Sequence, residues 1–187
     1  MTLRLFGPPN VDKLMAKGDF PGLINALEYQ NVWRVRRDAA AALGEIGDTD
    51  AAESLIAALN DESASVRIAV IAALGRIGDP AAVDPLVGVL RSPAVDIRKG
   101  AADSLGQIGD PRALEPLIVC LKDASWSVRR AAADALGQIR DPRAAEPLKA
   151  VFEDSDSNVR RAVADALAAL GWQPNGPRSV ARADEPR

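Results

Sequence analysis

The sequence contains no histidine and a single cysteine, Cys120, among its 187 residues. That inventory removes intrachain disulfides, Cys/His zinc sites and every acid–base scheme built on imidazole. Aromatic residues make up only 4% of the chain, which disfavours an aromatic-rich sheet sandwich, while abundant alanine and leucine favour thin, closely packed helices. Basic residues are not in surplus. The formal charge is -3, and binding to phosphate depends on clustered Lys and Arg, so a generic nucleic-acid binder is disfavoured. Long apolar runs are missing too: the longest, Ile68 to Leu74, falls far short of the roughly 20 residues that span a bilayer, and no membrane span is expected. The segment Met1 to Pro9 has no charged stretch followed by a sustained apolar one, so it does not read as a secretory signal and a cytoplasmic protein is expected.

What the sequence does contain is a repeat. An offset of 31 residues superimposes Val35-Arg36, Val66-Arg67, Ile97-Arg98, Val128-Arg129 and Val159-Arg160 without a gap. The same offset aligns Leu43-Gly44, Leu74-Gly75, Leu105-Gly106 and Leu136-Gly137, then Ile46-Gly47-Asp48, Ile77-Gly78-Asp79 and Ile108-Gly109-Asp110, with Ile139-Arg140-Asp141 as the variant. A fixed period of this size marks a solenoid, in which each unit buries its apolar face against its neighbours. Each unit divides into two helical patterns, A and B. Helix A opens on a capping Asp followed by Pro, at Asp79-Pro80, Asp110-Pro111 and Asp141-Pro142. A second proline at Pro85, Pro116 and Pro147 predicts that helix A is short or bent. Helix B is expected to begin after Asp61, Ser92, Asp123 and Asp154, read as N-caps, with Pro93 at a first helical position. Val128, Ala132, Leu136 and Ile139 then form one buried stripe. In the first copy Leu23 to Leu27 aligns with Leu55 to Leu59 only at an offset of 32, which puts one extra residue in the loop from Tyr29 to Val32.

These residues resemble the HEAT-like repeats of the phycobilisome (bilin) lyase type, and the synthetic scaffolds built on them, through Val-Arg, Ala-Leu-Gly-x-Ile-Gly-Asp and Glu-Pro-Leu. The resemblance covers about residues 10 to 172. It implies an all-α fold: an α-solenoid, a right-handed superhelix of five HEAT-like helix-pair repeats with an N-terminal capping helix. The expected boundaries are an N-terminal arm at 1–9, a capping helix at 10–17, repeats at about 19–48, 49–79, 80–110, 111–141 and 142–172, and a disordered tail at 173–187. The family includes lyase subunits, chaperones and scaffolds, so the resemblance speaks more to fold than to function. Arg140 departs from its pattern, which has Gly there, and is expected to weaken the turn after the fourth helix B.

The resemblance also places a variable, concave face on helix B. In the first unit it carries Arg37, Asp38, Ala41 and Glu45; later units supply Ile68, Ala69, Ala72 and Arg76, then Lys99, Asp103 and Gln107, then Arg130, Asp134 and Gln138, then Arg161 and Asp165. Chemistry changes along this face while the core columns stay fixed, so a partner-binding surface is expected there. Lys99/Asp103, Arg130/Asp134 and Arg161/Asp165 also fit a plain solvated face held by i, i+4 pairs; the apolar interruption at Ile68, Ala69 and Ala72 distinguishes the two readings. Trp33 and Trp126 occupy equivalent positions and read either as interface anchors or as local packing, and Trp172 reads as a lid over terminal apolar surface.

The arginine column, Arg36, Arg67, Arg98, Arg129 and Arg160, recurs beside Asp48, Asp79, Asp110 and Asp141 and beside Glu53, Asp84, Glu115 and Glu146. Such repetition favours a network stitching units together over a polyanion track. Cys120 aligns with Ala58, Val89 and Val151 and is expected to be a buried, inert thiol. The recurring glycines are read as helix C-caps, not as a phosphate loop. The function expected is a non-catalytic protein-binding scaffold or adaptor: not an enzyme, without cofactor or metal, a monomer or weakly self-associating, with another protein as partner. The alternative implied by the resemblance is an accessory subunit or chaperone of a bilin or tetrapyrrole lyase system. A metal hydroxylase built on HEAT-type repeats would need histidine ligands, which the sequence lacks. Nucleic-acid binding would have to rest on Arg37, Lys99, Arg130 and Arg161 alone.

Overall fold

The computed structural model describes residues 7–172; residues 1–6 of the N-terminal arm and the tail from 173 lie outside the described residues. A short helix α1 (Val11–Lys17) is capped by Asn10, whose side chain accepts the Lys13 N–H. Helix pairs follow: α2 (Phe20–Leu27) with α3 (Trp33–Ile46), α4 (Ala52–Ala57) with α5 (Ala64–Ile77), α6 (Val83–Val89) with α7 (Val95–Ile108), α8 (Leu114–Cys120) with α9 (Trp126–Ile139), and α10 (Ala145–Ala150) with α11 (Ser157–Ala169). The long helices stack in order, α3 on α5, α5 on α7, α7 on α9 and α9 on α11, with the short ones layered beside them. The chain is therefore an all-α solenoid. One continuous apolar cluster runs through it from Leu23 to Leu167, and Val11, Leu14 and Met15 of α1 pack against its first end.

Helix A is short for a reason that the proline pattern only half explains. Asp48, Asp79, Asp110 and Asp141 each accept the N–H two residues on and so cap a three-residue 3-10 turn before the α-helix starts. Pro85, Pro116 and Pro147 sit at the third position of α6, α8 and α10, where a backbone donor has no intrahelical acceptor to lose. The second unit has Thr49 and Ser54 at the two proline positions and still makes a 3-10 turn before α4. The aspartate, not the proline, sets the break.

The N-cap of helix B falls two residues later than expected in each of these units. Ser63, Ala94 and Ser125 are the N-caps of α5, α7 and α9, none with a side-chain cap bond, and only Asp156 caps α11 through its carboxylate. Asp61, Asp123 and Asp154 instead close tight turns, their Oδ1 atoms accepting the N–H of Ser63, Ser125 and Asp156 at 2.8, 2.8 and 2.9 Å. The same carboxylates also perform a second task described below.

Two glycine columns, expected to act alike, do different work. Gly47, Gly78 and Gly109 end their helices with φ of 73°, 74° and 73°, the left-handed geometry that suits a residue without Cβ. Arg140 holds the same position at φ 56°, the only non-glycine among the described residues with positive φ. A left-handed L-residue is strained by about 1–2 kcal/mol, part of which the stiffer unfolded chain offsets. Arg140→Gly should therefore raise stability by about 0.5–1 kcal/mol in a urea melt, and an unchanged or lowered midpoint would mean that Arg140 is not strained. Gly44, Gly75, Gly106 and Gly137 lie inside the helices, buried against the next helix B.

Candidate functional site

The solvent-facing side of the stacked long helices carries the residues singled out on helix B. Arg37, Asp38 and Ala41 of α3 are half-buried and Glu45 is exposed; Ala69 and Ala72 of α5 are half-buried, with Ile68 and Arg76 exposed. On α7 Lys99 and Asp103 are half-buried and Gln107 exposed; on α9 Asp134 is half-buried and Arg130 and Gln138 are exposed; on α11 Arg161 and Asp165 are exposed. Chemistry divides this surface lengthwise. Over α7, α9 and α11 it is a ladder of opposite charges, with Lys99 Nζ 2.7 Å from Asp103, Arg130 Nε 3.4 Å from Asp134 and Arg161 Nε 3.9 Å from Asp165. Arg130, Asp134, Arg161 and Asp165 line a cleft of about 300 Å3 between α9 and α11. Over α5 the ladder stops: Ile68 is 42% exposed between Ala69 and Ala72, and no acid or base stands at those three positions.

Asp134 is the strained member of the ladder. Burial pushes its carboxyl above the usual carboxylate range, and the Asp103 and Asp165 carboxylates push the same way against the nearby Arg130. A carboxylate kept where ionisation is disfavoured lowers stability at neutral pH, so Asp134 costs the fold a little there.

The arginine column forms staples between units, with a different carboxylate column from those expected. Arg36, Arg98 and Arg129 each grip an aspartate 25 residues later with two parallel bonds: Asp61 at 2.6 and 3.0 Å, Asp123 at 2.8 and 2.9 Å, Asp154 at 2.8 and 2.8 Å. The third arm, Nη1, ties the arginine to carbonyls of its own unit, Ser92 and Pro93 for Arg98, Asp123 and Ala124 for Arg129. Arg36 reaches one residue further back, to Tyr29 and Gln30, which absorbs the extra residue of the first loop. The hydrogen bonds from Arg98 and Arg129 hold the Asp123 and Asp154 carboxyls below the usual range in spite of partial burial. The columns expected to do this work elsewhere: Asp48, Asp79, Asp110 and Asp141 cap the 3-10 turns, and Asp84 and Glu146 join only exposed pairs with Arg112 and Lys149.

Trp33 packs partly onto the core with the Arg34 and Arg37 guanidinium groups 4.9 and 5.3 Å from its ring, whereas Trp126 is 44% exposed. Trp172 meets Phe152 edge to face at 5.6 Å, covering the far end of the core. Cys120 is buried; desolvation, with some help from Asp123, raises its thiol pKa, so it is held as the unreactive form. Among the described residues no group of three acidic or cysteine side chains is placed to hold a metal, and no helix is long and apolar enough to cross a membrane.

HEAT repeats match residues 20–104 and again 89–168. The chain belongs to the HEAT repeat family. Among solved structures, the CpcE–CpcF complex of phycocyanin lyase from Nostoc sp. PCC7120 is similar to this HEAT chain over 93% of its length and 70% of that chain's, with 25% identity and a TM-score of 0.74. An engineered protein is similar at 22% identity and a TM-score of 0.69, over 86% of this chain and 83% of that one. A designed armadillo repeat protein in complex with the peptide (KR)4 is similar at 21% identity and a TM-score of 0.67, over 88% and 87%. The last two likenesses bear on the solenoid fold alone. No curated protein matches the chain.

Proposed function

We propose that this HEAT protein is a non-catalytic binding scaffold or adaptor that holds another protein against the concave face of its helix-B layer. The observation that supports this most is the break in the charge ladder. Ile68, Ala69 and Ala72 put an apolar floor at α5, with Arg37, Arg76 and Lys99 at the surrounding positions of the same face. An apolar centre inside a charged rim is the usual anatomy of a protein-binding patch. The paired charges from Lys99 and Asp103 to Arg161 and Asp165 extend the patch with a polar rim. Trp126, exposed at the start of α9, supplies a further anchor for the same partner.

Replacing Ile68, Arg76, Lys99 and Arg130 together with serine tests the face. These side chains lie outside the core, so helicity should be unchanged and stability altered by about 1 kcal/mol or less. Affinity capture from the source lysate, with mass spectrometry of the retained proteins, should then lose one specific partner relative to wild type. Equal capture by both proteins would remove this face as the interface and leave helix A or the tryptophans.

The similarity to the CpcE–CpcF complex across 93% of the chain favours one second reading, an accessory subunit or chaperone of a bilin or tetrapyrrole lyase system. Mixing the purified protein with a bilin and recording its visible spectrum separates the two. A retained, shifted absorbance band supports the second reading, and a spectrum equal to free bilin eliminates direct bilin handling.

A further inference from the structure

Arg67 occupies the arginine column, yet the residue 25 places after it is Ser92, where its counterparts meet Asp61, Asp123 and Asp154. In those three units one aspartate does two jobs, closing the turn through Oδ1 and gripping the arginine with both oxygens. Ser92 keeps only the first job, its Oγ accepting the Ala94 N–H at 3.3 Å. Arg67 is nevertheless set like its counterparts, because its Nη1 donates to the Asp61 and Glu62 carbonyls at 2.6 and 3.1 Å. Among the described residues no carboxylate pairs with it. Asp61 acts on it through space, but that carboxylate is engaged by Arg36.

Arg67 lines a cleft of about 520 Å3 whose walls include Ile56, Leu59, Val89 and Ile97. Arg91 lines it as a second cation, and no acidic residue does. Gly88 leaves room as well, since a Cβ there would meet nothing within 4 Å. The corresponding cleft one unit earlier contains Glu28, Asp61 and Glu62 around Arg36 and is already neutralised. None of the Arg67 cleft residues belongs to the helix-B face, so this site is independent of that reading.

We propose that the Arg67 cleft docks an acidic side chain of a partner polypeptide, its carboxylate taking on Arg67 the place that Asp123 takes on Arg98, with an adjacent apolar side chain against Ile56, Leu59 and Val89. An arginine fork fits a planar carboxylate with two parallel bonds. Apolar walls select a carboxylate carried beside hydrocarbon over a small, strongly hydrated anion such as inorganic phosphate.

The chain supplies its own probe: acetyl-Leu-Lys-Asp-Ala-Ser-amide, the sequence of residues 121–125, which presents Asp123 to Arg98. Titrated into the full chain and followed by the arginine Nε–H resonances, it should move the Arg67 signal with saturation. The same peptide with Asn for Asp should bind about tenfold more weakly. Ser92→Asp, which restores the internal carboxylate, should raise the melting temperature and weaken the peptide by about tenfold or more. Arg67→Gln should abolish binding in a folded protein and stands in should Ser92→Asp fail to fold. An Arg67 signal that the peptide does not move, equal binding of the Asn peptide, equal binding by the folded variants, or an equal response to inorganic phosphate at the same concentration would each overturn the assignment. Loss of partner capture by the helix-B face variant leaves this titration unaffected, so the two readings fail separately.

Discussion

Gly106→Val should destabilise the protein by about 3 kcal/mol or more, although it replaces the smallest residue with a common apolar one. The reason is the spacing of α7 and α9. A Cβ at Gly106 would lie 2.7 Å from the Ala135 Cα and 2.8 Å from its Cβ, so backbone, not a flexible side-chain end, stands in the way. Gly44 against Ala73 and Gly137 against Ala166 repeat the contact, and Gly75 meets Ser104, whose hydroxyl donates to the Ile71 carbonyl. In a linear array each interface is made only between neighbours, so forcing α7 from α9 uncouples the two halves of the stack. The expected readout is a split or broadened urea transition besides the lower midpoint. Ala168 provides the control. It occupies the same column in α11, on which no further long helix stacks among the described residues, and it is exposed. Ala168→Gly should lower stability only by the helix-propensity difference, about 0.5–1 kcal/mol. A Gly106→Val protein as stable as Ala168→Gly would show that the helices separate without penalty.

The sequence made the periodic part of this architecture legible, and periodicity also limited what it could resolve. Apart from helix A of the first unit, the columns recur every 31 residues, so alignment shows which residues are equivalent but not which columns touch. Arg36 and its counterparts had two acidic columns at hand, headed by Asp48 and Glu53, and a third, headed by Asp61, that also had the character of helix caps. Choosing between them requires knowing that the helix-B start of one unit sits beside the helix-A end of the next, which is a fact of three-dimensional stacking. A signal was present nonetheless: among the four units that align here, only the Asp61 column carries a non-acidic residue, Ser92, and its arginine, Arg67, pairs with no carboxylate among the described residues. The glycines show the same limit. Two columns three residues apart both looked like helix ends, and their exceptions tell them apart. Arg140 replaces a C-cap, where strain is tolerable, and Ala168 replaces a contact glycine where, among the described residues, no next long helix packs. The helix-B face was legible for the opposite reason. Its residues vary between units, and each one placed there from the sequence is exposed or half-buried on a long helix.

Arg36→Ala should cost about 3–5 kcal/mol, more than the same change at Arg160. Arg36 is 4% exposed and holds the bidentate pair with Asp61, the carbonyls of Tyr29 and Gln30, and Glu62 at 3.1 Å. Removing it strands a largely buried carboxylate and leaves the two carbonyls without their donor, and an uncompensated charge costs more than the intact pair contributes. Arg160 donates only to the Asp154 and Ser155 carbonyls at an exposed position, so its loss should stay near 1 kcal/mol. Acid provides an internal check. Burial alone would raise the Asp61 carboxyl, but the bonds from Arg36 and from the Ser63 N–H outweigh it and hold the pKa below the ordinary value. A depressed carboxyl stabilises the fold above the unfolded pKa, near 4, and that contribution disappears as pH falls through the lower, folded value. The gap between wild type and Arg36→Ala should therefore be full at neutral pH and narrow below about pH 4, without closing, because the bonds to Tyr29 and Gln30 do not titrate. Urea melts of both proteins across that range read it directly. A gap independent of pH would assign the cost of the variant to lost packing and the carbonyl bonds, and the Asp61 staple would contribute nothing.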